Sequence, residues 1–176
     1  MAQARPIPGL EASDPYATAA AKVVGVRVAE LIDHADGVLD VDDIERVHDM
    51  RVATRRLRAA LEIFEPCLPA KEWKAGMGEV KALADALGQR RDRDVTIAAL
   101  GKIAESMATP DRRGVESLIE RLREEQAAAN DELARLVRSD RLAALGEQLS
   151  ELAVSAERSA GEAGPGIPAN GQMDGT

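Results

Sequence analysis

Apolar residues recur at every third or fourth position along most of the chain, the spacing of one face of an α-helix. No segment shows the sustained alternation of apolar and polar residues that marks a half-buried β-strand. The pattern therefore predicts an all-α protein, a helical bundle of about six helices. The predicted helices cover residues 15–33, 41–65, 70–87, 93–106, 110–138 and 139–156.

Prolines, glycines and short polar side chains mark where the predicted helices begin and end. Asp, Ser and Thr favour the N-cap because their side-chain oxygens accept hydrogen bonds from the first backbone N–H groups, and proline fits the first turn. The helix starts predicted in this way are Asp14-Pro15, Asp40 or Asp42, Asp92, Thr109-Pro110 and Ser139. Gly88 fits the position after the third helix, so we expect residues 89–94 to form a charged turn.

Composition divides the chain into three parts. Residues 1–13 contain prolines and a glycine without periodicity, so we expect a flexible lead-in. Residues 14–156 carry the predicted helices and form one domain. Residues 157–176 are rich in glycine and proline, and we expect them to be a disordered tail.

Cationic and apolar side chains occupy opposite faces of the second predicted helix. With His48 set at 0°, Arg51, Arg55 and Arg58 lie at roughly −60°, −20° and −80°. The apolar residues on the far side are Met50, Ala53, Leu57, Ala60 and Phe64. The histidine and the three arginines form a row about 15 Å long, and Arg56 lies beside it. Arginines in a row repel one another unless an anion lies between them, so the row predicts a site for an extended anion.

The third predicted helix has a similar basic face. Lys74 and Lys81 lie on the side opposite its apolar residues, and we expect the two basic faces to line one groove. In the charged turn that follows, Arg91 is predicted to point toward the groove, while Arg90 and Arg93 face solvent. The acids of the turn, Asp92 and Asp94, either cap the next helix or, for Asp94, pair with an arginine of the second helix.

Overall composition narrows the possible functions. Aromatic residues make up only 2% of the chain, which favours packed helices over a β-sandwich. The formal net charge is −8, whereas a general nucleic-acid-binding protein is more often basic. Cys67 is the single cysteine, so we expect a reducing compartment and a buried thiol. No apolar run is long enough for a signal peptide or a membrane span, which predicts a soluble, cytoplasmic protein without a membrane partner.

Two motifs resemble the signatures of the CHAD domain, the conserved histidine α-helical domain. The first is residues 48–58, HDMRVATRRLR, in which an arginine follows the histidine by three positions and an arginine-rich run continues on the same helix. The second is residues 87–95, LGQRRDRDV, a Leu-Gly step followed by Arg-Asp-x-Asp-Val. The resemblance extends from about Pro15 to Leu152.

This resemblance implies an all-helical domain that binds inorganic polyphosphate through basic side chains and has no catalytic activity. It also implies association with polyphosphate granules and with triphosphate-processing CYTH proteins. We expect no cofactor. By matching position, the residues implicated in binding are His48, Arg51, Arg55, Arg56 and Arg58, with Lys74 and Lys81 as further candidates. Arg91 joins this set through its predicted orientation in the charged turn.

The sequence departs from the CHAD pattern in one respect. A CHAD domain usually contains two such bundles in tandem, each with its own histidine motif, and this sequence contains one such motif. The second histidine, His34, is not in a comparable arginine-rich run. A homodimer would rebuild the tandem arrangement through one symmetric interface, so we expect two chains to pair. Binding by a single chain is the alternative.

Other functions remain open at this stage. Residues 48–51, HDMR, also resemble the phospho-acceptor box of sensor histidine kinases, which continues with Thr-Pro where this chain has Val52-Ala53. An arginine-rich helix can enter the DNA major groove, although the acidic net charge and the scarcity of aromatics for base stacking make nucleic acid an unlikely partner. The arginines could also form an ordinary solvated face. Neither histidine has a close second ligand, so we predict no metal site.

Overall fold

The computed structural model describes residues 4–162 of the chain, apart from the side chains of residues 109 and 160–162. The described chain is helical and contains no strand. The elements are α1 (Tyr16–Asp33), α2 (Ile44–Ile63), a short 3₁₀ helix (Glu65–Cys67), α3 (Ala70–Ser106), α4 (Thr109–Leu136) and α5 (Ser139–Glu162). The predicted all-α bundle is confirmed, and residues 4–162 contain five α-helices. None of the helices described is long and apolar enough to cross a membrane.

The predicted helix boundaries hold to within a few residues at most ends, but the caps predicted for the first two helices do not. Pro15 occupies the N-cap of α1, without a side-chain cap bond. The Asp14 carboxylate instead accepts hydrogen bonds from the backbone N–H of Glu11 at 2.9 Å and from the Lys22 ammonium at 2.8 Å. The Glu11 N–H, followed by Lys22, holds the pKa of Asp14 below its ordinary value. Asp14 therefore fastens the lead-in to α1 rather than capping the helix.

The start of α2 differs from the prediction in a similar way. Asp43 occupies its N-cap position and makes no side-chain cap bond. Asp40, one of the two predicted caps, accepts the backbone N–H of Asp42, the other, at 2.9 Å. The two predicted caps thus form a turn with each other before the helix begins.

The largest correction concerns α3, which is one continuous helix of 37 residues where a helix, a turn and a second helix were predicted. Gly88 and the charged residues 89–94 lie in its interior. A single interior glycine costs only about 1 kcal/mol, which the packing of the flanking turns offsets. Leu87, Arg90 and Asp94 are all buried, so packing continues through the segment that resembles a turn. Asp92 is accordingly not an N-cap.

The main core lies where α1, α2, α5 and the first half of α3 meet. Its fully buried members include Val24, Leu31, Met50, Leu57, Leu61, Val80, Leu87 and Leu149. Two glycines let helices approach closely: a Cβ at Gly76 would lie 2.6 Å from Cδ2 of Leu149, and one at Gly146 would lie 2.9 Å from Cδ1 of Ile32. Helix α4 packs along α3. The last helix extends to Glu162, beyond its predicted end near residue 156, and residues 163–176 of the predicted tail lie outside the described residues.

Candidate anion-binding groove

Helix α2 buries one side in the core and presents the predicted basic row on the other. Met50, Ala53 and Leu57 are fully buried, as the helical spacing predicts. Helix α3 runs antiparallel beside α2, because bonds join opposite ends of the two helices. The indole N–H of Trp73 donates to the carbonyl of Leu61 at 2.9 Å near the end of α2, and Arg91 donates to the carbonyl of Ile44 at 2.7 Å at its start.

A groove of about 760 Å³ lies between these two helices. All five residues predicted on α2 line it. Its lining consists of His48, Arg51, Val52, Arg55, Arg56 and Arg58 from α2, and Ala84, Asp85, Gly88, Gln89 and Asp92 from α3. Gly88 has no side chain, and an added Cβ would meet nothing within 4 Å. The glycine that resembles a helix terminator in the sequence is therefore part of the groove wall.

The arginines of the groove differ in how far acidic side chains compensate their charge. Within the described residues, neither Arg51 nor Arg55 forms an ion pair, and both side chains are exposed. Arg58 has its Nε 3.3 Å from an oxygen of Glu62, in an exposed pair of the kind that contributes little. A chain with a net charge of −8 thus keeps a local positive field on one face of one helix.

Arg56 is held by a buried carboxylate that the sequence analysis did not single out. Its Nη1 lies 2.7 Å from Oε1 of Glu30 on α1, and Nη1 of Arg27 lies 2.6 Å from Oε2 of the same residue. Glu30 is only 1% exposed. Burial by itself would raise the pKa of Glu30, but the hydrogen bonds and charges of Arg27 and Arg56 outweigh it and hold that pKa below its ordinary value.

The second wall of the groove differs from the predicted basic one. Lys74 and Lys81 are exposed but do not line the groove. The wall carries the carboxylates Asp85 and Asp92, which lie on the same side of α3 as the lysines by helical spacing. Arg91 also lies elsewhere, since its guanidinium donates to the carbonyl of Ile44 and lies 3.3 Å from Glu45. Arg91 thus fastens α3 to the start of α2.

The charged segment after Gly88 has a structural role that the sequence analysis assigned wrongly. Arg90 was expected to face solvent but is fully buried, and its Nε lies 3.1 Å from Asp94, also buried. Asp94 therefore pairs within α3 and not with an arginine of α2. From α4, the amide of Gln126 donates to Asp94 at 2.6 Å, and the Asn130 oxygen accepts from Arg90 at 2.9 Å. We call these four residues the α3–α4 polar cluster.

The α3–α4 polar cluster also reaches the loop before α2, because the Asn130 amide donates to the carbonyl of Leu39 at 3.1 Å. Arg93, likewise expected to face solvent, is partly buried, with its Nε 3.7 Å from Glu125.

In the part of the chain that the structure describes, no group of three or more His, Cys, Asp or Glu side chains is arranged to hold a metal ion.

Fold and groove together define a helical protein with a cationic groove on an otherwise acidic surface. Comparison with family models gives the specific assignment, because the model described as the CHAD domain matches residues 22–172. The match covers most of the chain and both signature motifs, so this chain belongs to the CHAD family, which is associated with polyphosphate binding. No curated protein and no solved structure gave a significant match.

Proposed function

We propose that this protein binds inorganic polyphosphate without catalysing a reaction, and that the chain lies along the α2 wall of the groove. The observation that carries the proposal is the row formed by His48, Arg51, Arg55 and Arg58, in which Arg51 and Arg55 form no ion pair within residues 4–162. Arg56 completes the α2 wall from its fixed position beside Glu30. A row of cations along one helix is complementary to a linear ligand with regularly spaced negative charges.

The chemistry of the side chains suits this ligand. Polyphosphate carries about one negative charge per phosphate at every step of a flexible chain. A guanidinium donates two parallel hydrogen bonds to phosphate oxygens and stays charged at all relevant pH values. Arg51 and Arg55 are one helical turn apart, a rise of about 6 Å. The row can therefore engage several consecutive phosphates with little movement of the backbone.

Residues outside the groove have a secondary part in this proposal. Lys74 and Lys81 lie on exposed turns of α3 and extend the positive field for chains longer than the groove. Arg91 supports the site from outside by fixing the start of α2. We propose that the protein is cytoplasmic, associates with polyphosphate granules and forms a homodimer. A CYTH-type triphosphate-processing protein is the partner that we propose.

Binding of long-chain polyphosphate to the variant Arg51→Ala/Arg55→Ala tests the proposal. Each charge-assisted hydrogen bond contributes about 1.5–3 kcal/mol, so the affinity should fall at least about tenfold. The matched control is Arg113→Ala/Arg121→Ala on α4, which removes two exposed arginines outside the groove and changes the net charge equally. Its affinity should stay within about twofold of wild type. Equal binding by the groove variant and the wild type would show that the site is wrong.

A further inference from the structure

The two walls of the groove carry opposite charge. The α2 wall carries the histidine and four arginines, whereas the α3 wall carries Asp85 and Asp92 with the Gln89 amide between them. Both carboxylates are exposed, and in the described part of the chain neither forms an ion pair across the groove. Because they are seven residues apart on one face of α3, they lie about 10 Å from each other. The α3 wall thus presents two uncompensated negative charges to any ligand of the arginine row.

The charge of the surroundings also changes along the groove. Helices α2 and α3 are antiparallel, so Asp92 lies near the start of α2, and Lys81 and Lys74 lie nearer its end. Next to the start of α2 a smaller cleft is lined mainly by acids, among them Asp43 and Glu45. The negative potential of Asp85 and Asp92 is therefore reinforced at the end of the groove where His48 lies.

The width of the groove determines which polyanions must face these carboxylates. Packed helices lie about 8–10 Å apart, which leaves room between their outer side chains for a single phosphate chain. A polyphosphate chain is flexible, so inside the groove it can place its phosphates beside the arginines of α2 rather than beside the carboxylates of α3. A nucleic-acid duplex is wider than its own major groove, which already measures about 12 Å. The duplex therefore cannot enter the protein groove and must rest on the outer edges of both walls. Its rigid backbone then brings phosphates close to Asp85 and Asp92.

We infer that Asp85 and Asp92 determine the specificity of the groove, by repelling nucleic-acid duplexes from the arginine row while admitting a single polyphosphate chain. Like charges placed opposite each other suppress the wrong partner more than they weaken the right one. The inference rests on the proposed function, because it assigns a selectivity to the same site. It also gives a physical role to acids that would otherwise oppose binding of any anion.

The test compares two ligands on three proteins in one buffer. The ligands are long-chain inorganic polyphosphate and a short DNA duplex, and the proteins are wild type, Asp85→Asn/Asp92→Asn and the control Asp131→Asn/Glu132→Gln. The control removes two exposed acids from α4 and changes the net charge equally. In the groove variant, duplex affinity should rise at least about tenfold and polyphosphate affinity less than about threefold. The control should change either affinity by less than about twofold.

An equal rise in the affinities for both ligands in the groove variant would overturn the inference. A general change in the electrostatic field of the protein would then explain the result. Unchanged duplex affinity would overturn it as well. Failure of the wild type to bind polyphosphate would instead overturn the proposed function, and the duplex measurements would still report on the two carboxylates. Circular dichroism of each variant establishes that the helices are retained, which the exposed positions of the substituted residues lead us to expect.

Discussion

Glu30 forms an ion pair that helps to hold Arg56 in position. Each of its carboxylate oxygens lies within hydrogen-bond distance of a different arginine, Arg27 from its own helix and Arg56 from α2. The side chain is 2% exposed, so loss of either arginine would leave a poorly compensated charge away from water. The contact therefore links the packing of α1 to the geometry of the groove.

Substitution of Glu30 by Gln should destabilise the protein at pH 7 by about 3 kcal/mol, because it leaves two arginines beside a neutral amide. The pKa of Glu30 is below its ordinary value of 4.5 in the folded protein, so its stabilisation is present above that value and is lost as pH falls through the folded pKa. Urea unfolding between pH 7 and acid should therefore show a smaller acid-induced loss for Glu30→Gln than for wild type.

The matched control is Glu62→Gln, which removes the exposed partner of Arg58 on α2. Its free energy of unfolding should change by less than about 1 kcal/mol at any pH. If Glu30→Gln is as stable as the wild type at pH 7 and loses as much stability in acid, Glu30 does not have this role.

At the level of residues, helical periodicity was sufficient to group four of the α2 residues that line the groove, His48, Arg51, Arg55 and Arg58, whereas Arg56 was added by the resemblance to the CHAD motif. The angle between two residues of one helix depends only on their separation in sequence. The partner of Arg56 could not be found in this way, because Glu30 is 26 residues away on another helix. Only the i, i+3 spacing of Arg27 and Glu30 was visible, and such spacing is common on exposed helices.

Among the elements, α3 makes two different sets of contacts on two of its sides. One side lines the groove, and another carries Arg90 and Asp94 into the α3–α4 polar cluster. Nε and Nη2 of Arg90 and Oδ2 of Asp94 are buried and have no hydrogen-bond partner within the described residues, although Nε lies 3.1 Å from the other oxygen of Asp94. The cluster therefore fixes the position of α4 on α3 at some cost in stability.

Replacing Arg90 alone by Leu should lower the free energy of unfolding by about 3–5 kcal/mol, since Asp94 then remains buried without its cation. The double variant Arg90→Leu/Asp94→Leu should lose less than the sum of the two single variants, because it removes both charges together. Urea unfolding of the four proteins measures this coupling. Additive losses would show that the pair does not act as a unit.

The continuity of α3 could not be predicted from local signals. Gly88 followed by six polar or charged residues is typical of a helix end and a turn. What keeps this segment helical is burial against α4, whose Gln126 and Asn130 lie 32 and 40 residues from their partners. Pairings at that separation leave no periodic signal, so sequence reasoning found the helical class but divided one helix into two.

For the whole molecule, the remaining prediction is its oligomeric state. The chain has a mass of 18.8 kDa, and a homodimer would have twice that mass. A symmetric pair would place two arginine rows in one particle, so one long polyphosphate chain could engage both and gain avidity. Light scattering coupled to size exclusion should give the dimer mass for wild type. A monomer mass at all concentrations, with full polyphosphate binding, would show that one groove acts alone.

The unbroken length of α3 has a mechanical consequence. A helix of 37 residues is a rod about 55 Å long, and its last turns lie about 27 Å from the middle of the groove. A tilt of about 5° at the groove displaces the far end by about 2 Å. Because the polar cluster fastens α4 to that rod, both helices would swing together. Helix α3 is continuous through Gly88 at its centre, so the groove half and the far half belong to one rod.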